Sequence, residues 1–247
     1  MGLGALIVGA VSVVGSAIAG ALSAAGTFIA GTIAKIGPVI SKVAETFMSV
    51  VAQIPKIDLE TVNKVFDVAG GFLHSCCEVL GIKSEEDPSI LGAKANQSDK
   101  SLEEFDYDTA AYIRYLKEDI ELDKDKYNKM STEEKIGCKA IGLALETKAI
   151  EDKLEIDLSP ECVTMLAKIQ IGKDIVLSAN NLIEIAKTLK DAGITDMDEV
   201  KEYFEGKGDS DRVTTGEKLK EAVAQLEGVS NPDQMIEDIK MYVREKD

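Results

Sequence analysis

The sequence predicts an all-α protein: a long apolar Gly/Ala-rich N-terminal helical segment, then an acidic bundle of short helices. Three observations carry that expectation. The first 54 residues hold an eleven-residue repeat, which is close to three turns of α-helix. Helix-start signatures recur through the rest of the chain: Asp58, Ser101 with Glu104, Ser131 with Glu134, Ser159-Pro160 and Asn231-Pro232. The composition is 45% hydrophobic with 5% aromatic residues and no Trp. A core must then be built from Ala, Val, Ile and Leu, which suits helices better than a β-sandwich or barrel.

The repeat is marked by Gly4, Gly9, Gly15, Gly20, Gly26, Gly31 and Gly37, in alternating steps of five and six. Cut at every second glycine, the segment reads GALIVGAVSVV, GSAIAGALSAA, GTFIAGTIAKI and GPVISKVAETF, with Ile7, Ile18, Ile29 and Ile40 at the fourth position of each unit. At about 98° per residue, unit positions 1, 2, 5, 6 and 9 form one face, and they carry mostly Gly, Ala, Ser and Thr. Positions 4, 8 and 11 form the opposite face and carry mostly Ile, Leu, Val and Phe. Each glycine costs a water-exposed helix about 1 kcal/mol relative to alanine, so something beyond propensity must favour them. Small faces let helices approach closely, as they do inside membranes. Gly4, Gly9, Gly15, Gly20, Gly26 and Gly31, with Ile7, Ile18 and Ile29, are therefore the candidate membrane or helix-packing residues.

No charge occurs before Lys35, a run well beyond the roughly 20 residues that span a bilayer core. The expected partner of residues 2–54 is a lipid membrane or a protein tube. A buried central helix of a soluble bundle is the competing expectation. A cleaved secretory signal is not expected, because no basic residue precedes the apolar run. Leu6 stands where a myristoylation pattern needs Ser or Thr.

The rest of the chain divides into three expected parts. Gly37-Pro38 interrupts the repeat, and Pro38 begins a helix to about Ala52 that Pro55 closes. Residues 55–82 form an amphipathic helix capped by Asp58, with Val62, Val65, Phe66, Phe72 and Leu73 near one side and a soft point at Gly70-Gly71. Residues 83–100 lack an apolar period and read as a linker. Residues 101–247 read as an acidic domain of six or seven short helices, one starting at Thr195 or Asp196 and ending at Gly206, another starting at Thr214 or Thr215.

Charge and chemistry point away from several functions. Residues 1–82 carry a net charge of −1 and the remainder −15, so the chain lacks the basic footprint of a nucleic-acid binder. His74 lies beside Cys76 and Cys77, but Cys138 and Cys162 are remote in sequence and no four-ligand zinc spacing results. The thiols are expected to be reduced and buried as small apolar groups. The run DKDKYN at 123–128 lacks the glycine a calcium loop requires. No dinucleotide fingerprint accompanies the glycines. No enzyme, cofactor or metal is expected.

The run GAVSVVGSAIAGALSAAGTFIAGTIAKIGPVI, within residues 2–54, resembles the Gly/Ala-rich hydrophobic segments of phage-tail tape-measure proteins and related contractile injection particles. That resemblance implies a helical protein housed in a tube or particle, assembled as a homo-oligomer or with particle partners, and released to a target membrane. It implies no catalytic residue. About 50 helical residues cover only some 75 Å, so a minor, ejected or cargo role fits better than length determination. The protein would be soluble or particle-associated before action and membrane-associated after it. Two other classes compete: an α-helical pore-forming toxin with a sheltered hydrophobic segment, and a structural helical adaptor with no membrane role.

Overall fold

A computed structural model describes residues 16–55, 57–172, 178–207, 211–226 and 231–245. The described residues form eleven α-helices, one 3-10 turn and no strand, so the chain is all-α. In order these are α1 (Ser16–Ala52), α2 (Leu59–Val79), α3 (Pro88–Gln97), the 3-10 turn Leu102–Phe105, α4 (Thr109–Glu118), α5 (Lys124–Lys129), α6 (Thr132–Leu154), α7 (Pro160–Gly172), α8 (Ala179–Asp191), α9 (Asp198–Glu205), α10 (Asp211–Ala224) and α11 (Pro232–Glu245).

The helix boundaries follow from local chemistry. α1 is two helices joined at Gly37, whose φ of 77° and ψ of 165° suit glycine, with Pro38 opening the second part. The Asp58 carboxylate accepts from the Thr61 N–H at 2.7 Å and starts α2. Ser131 and Glu134 cap α6 reciprocally: the Ser131 N–H donates to Glu134 at 2.8 Å and the Glu134 N–H to the Ser131 hydroxyl at 3.2 Å. The Ser159 hydroxyl accepts from the Cys162 N–H, and Asn231 Oδ1 from the Gln234 N–H, each at 3.1 Å. Gly206 ends α9 in the left-handed conformation.

At the centre lies α6, against which α1, α2, α3 and α4 all pack. From Ile136 to Thr147 every residue of α6 but Lys139 is buried, so this helix has no wet face along that stretch. Lys139 reaches Asp67 of α2 at 2.6 Å and Asn63 at 3.0 Å. α7 packs on α1 and α2 and reaches α9 and α11, while α8 packs on α2 and α10, and one continuous apolar core runs from Ile18 to Val243.

Three features of this architecture differ from the sequence reading. The segment read as a linker, 83–100, contains α3, and Pro88, Ser89, Leu91, Gly92, Ala93, Lys94 and Ala95 are buried. α3 lies so close to α6 that a Cβ on Gly92 would sit 1.9 Å from the Cys138 carbonyl oxygen, and one on Gly142 would sit 2.1 Å from that of Pro88. Small side chains, not an apolar stripe, bury this helix. Among the described residues after residue 100 there are eight α-helices, not six or seven, and one of them, α6, runs 23 residues. Finally, α10 begins at Asp211, ahead of Thr214, while α2 passes unbroken through Gly70-Gly71, with the Pro88 ring close against Gly70.

Candidate functional site

The repeat sorts α1 into two faces. Ile18, Leu22, Ala25, Ile29, Ile36 and Ile40 are all buried, Ile29, Ile36 and Ile40 completely. Gly20, Ser23, Ala24, Thr27, Ala30, Gly31 and Ala34 are exposed. Apart from Ala24 at unit position 10, the exposed residues are positions 2, 5, 6 and 9 of the eleven-residue wheel, so the bulky face is held by the body and most of the small face is turned outward. Two residues break the pattern: Ile33, a position-8 isoleucine that is 42% exposed and lies beside the small stripe, and Gly26, a position-1 glycine that is buried.

Each candidate residue has a definite place. Ile18 and Ile29 are core residues, and Gly26 is buried. Gly20 and Gly31 are exposed, and a Cβ added to either would meet nothing within 4 Å. Those two glycines therefore do not serve close packing among the described residues. Gly4, Ile7, Gly9 and Gly15 lie outside the described residues. Backbone approach is instead made by Gly92 and Gly142, and by Gly137, whose Cβ would stand 3.1 Å from the Ala25 carbonyl. The sequence held one faint sign of this, glycines spaced by five at 137 and 142 in an otherwise apolar helix.

The first part of α1, residues 16–36, is about 32 Å long at 1.5 Å per residue, close to the roughly 30 Å of a bilayer core. By length and apolarity α1 can cross a membrane, and its exposed stripe carries no charge before Lys35. The second part is different: Lys42 is exposed, and half-buried Glu45 lies 3.4 Å from the Ser41 hydroxyl.

A second unusual place lies between α2 and α6. Asp67 meets Lys139 and His74 faces Glu146, so the two helices run in the same direction. The Glu146 carboxyl is 0% exposed, with one oxygen 3.9 Å from His74 Nδ1. Among the described residues, neither Glu146 oxygen has a hydrogen-bond partner, and His74 Nδ1 and the Ser84 hydroxyl also lack one. Burial pushes the carboxyl up to about 8, with the nearby Ser84 hydroxyl pulling the other way. His74 Nε2 points to Glu78 at 3.7 Å.

All four thiols are buried and free. Burial raises Cys76, Cys138 and Cys162 to about 12 and Cys77 further, with the Glu146 charge adding to the shift at Cys76 and Cys77. No nucleophile is prepared there. Among the described residues no group of three or more His, Cys, Asp or Glu is arranged to hold a metal.

No protein-family model, curated protein or solved structure matches the chain.

Proposed function

We propose that this is a non-enzymatic, membrane-acting protein of the sheltered-helix kind, in which the body holds the bulky face of α1 and the small face is the first to meet lipid. The observation that carries this reading is the uncharged outward stripe from Gly20 to Ala34 on a helix as long as a bilayer core. Exposed glycines at positions 20 and 31 weaken the helix in water without contributing close contacts among the described residues. A smooth surface for lipid or for neighbouring helices within lipid gives them a use. The bulky face then becomes available when α1 leaves α6, and the acidic body keeps the protein soluble until that point.

The injection-particle reading keeps one argument of its own, the eleven-residue beat that continues back to Gly4. In that case the small face lies against a protein tube before release. Both readings require lipid contact by the same stripe.

The test is flotation with lipid vesicles, with dye release in parallel, comparing the native chain with Ala24→Asp and Ala30→Asp. Both positions are exposed, so the fold is expected to survive. A carboxylate at the centre of a membrane helix costs about 3 kcal/mol, which corresponds to more than a hundredfold loss of partitioning. The native chain is expected to float and to release dye, and each variant to remain in the soluble fraction. A native chain that neither floats nor leaks dye ends this reading and leaves a structural adaptor.

A further inference from the structure

The bundle contains a cavity of about 80 Å³ where α2, α6, α7, α8, α9, α10 and α11 converge. Its wall is aliphatic, aromatic or sulfur-bearing throughout, from Cys76 on α2 and Ile150 on α6 to Ala186 on α8, Val223 on α10 and Ile236 on α11. We propose that this cavity is a binding site for the hydrocarbon end of an amphiphile.

The wall chemistry selects the ligand class. Water needs two or more polar partners to occupy a buried space, and no side chain here supplies them. A carboxylate, phosphate or sugar would lose its hydration and gain nothing. Only an apolar group enters without loss. Size then narrows the choice, because an apolar cavity of about 150 Å³ holds benzene. At roughly half that volume, the end of an unbranched alkyl chain fits where a ring does not.

The wall also indicates how the chain is held. Phe72, Leu166, Leu182 and Met235 line the cavity and are half-buried, so its wall reaches the protein surface there. Only the terminal part of an alkyl chain is taken up, and the polar head stays in water at this rim. Protein interiors are ordinarily close-packed, with few voids larger than a water molecule. An apolar space at the meeting of seven helices is thus a departure from ordinary packing, and Ala186 is the smallest side chain in its wall. The inference is separate from the membrane reading, since a chain that ignores vesicles retains this cavity.

The test uses the full chain and dodecanoate, with side-chain methyl NMR and thermal unfolding as readouts. Saturable shifts are expected at Met165, Ile183 and Ile236, with a rise in melting temperature of about 5 °C or more at a hundredfold excess over Kd. Ala186→Leu fills the space. It is expected to melt higher than the native chain without ligand and to bind dodecanoate at least tenfold more weakly. Val223→Ile fills the cavity from α10 and serves if Ala186→Leu does not fold. Phosphatidylcholine vesicles in place of dodecanoate separate the sources: methyl shifts with vesicles assign the site to bilayer chains, and shifts with dodecanoate alone assign it to free amphiphiles. No saturable shift with either, or equal shifts in the native and filled chains, overturns the proposal.

Discussion

Gly92→Ala is expected to cost the fold about 3 kcal/mol or more, at or beyond the upper end of ordinary overpacking effects. The added methyl would stand 1.9 Å from the Cys138 carbonyl oxygen, 2.7 Å from its carbon and 2.8 Å from its Cα. Nothing on that list is a side chain that can swing away. α3 must lift from α6, and α6 is also the support of α1, α2 and α4. Gly142→Ala meets Pro88 backbone in the same way and is expected to behave alike. Global stabilities run from about 5 to 15 kcal/mol, so either change removes a large fraction. Gly20→Ala and Gly31→Ala give the opposite result. Their side chains enter open space on an exposed helix and should add about 0.5–1 kcal/mol each. Urea unfolding of the four variants checks this. If Gly20→Ala destabilised as much as Gly92→Ala, the assignment of inner and outer faces of α1 would be wrong.

The second large effect belongs to Glu146. Its carboxyl titrates near 8 when folded and near 4.5 when unfolded, so the folded state binds the extra proton between those values. Stability from this group is fully present below about 4.5 and is lost as pH rises through 8. Each pH unit in that window removes about 1.4 kcal/mol, for a total of the order of 4 kcal/mol by pH 8. Glu146→Gln removes the titrating group and keeps the shape. The expected result is a native-minus-variant stability difference that slopes downward from pH 5 to pH 8, measured by urea unfolding in buffers of equal ionic strength. His74 of α2 lies 3.9 Å from this carboxyl, and the Cys76 and Cys77 thiols of the same helix also feel its charge, so His74→Gln combined with Glu146→Gln measures the histidine's share of the coupling. A difference that stays flat across that range would show that Glu146 is already charged in the folded protein.

Much of the helical layout is legible in the sequence because its signals are local. Asp58, the Ser131-Glu134 pair, Ser159-Pro160 and Asn231-Pro232 mark helix starts through side-chain to amide bonds between residues three apart. Gly37-Pro38 marks the corner in α1 for a similar reason. The split of the repeat into bulky and small faces is also a local periodicity, and burial follows it at Ile18, Ile29 and Ile40. Which face turns inward is a tertiary matter that no eleven-residue window contains. The same limit hides α3, a helix of small and polar residues buried by the close approach of two glycines on different helices. Glu146 escapes notice too. In the sequence it is one acidic residue among many, and only the packing of α2 and the Ser84 loop around α6 makes it a buried one.

The most direct measurement of the central claim places a fluorophore on the outward face of α1. The four native thiols are buried and held above the ordinary thiol range, so a maleimide dye should select an introduced cysteine. Ala24→Cys puts the dye in the small-residue stripe, and Glu217→Cys puts it on the exposed side of α10. Vesicles containing nitroxide-labelled lipid then report proximity by quenching. Lipid contact through α1 predicts strong quenching and a blue shift at residue 24 with neither change at residue 217. A dye at residue 24 whose emission ignores the vesicles, while the labelled protein remains folded, would contradict it.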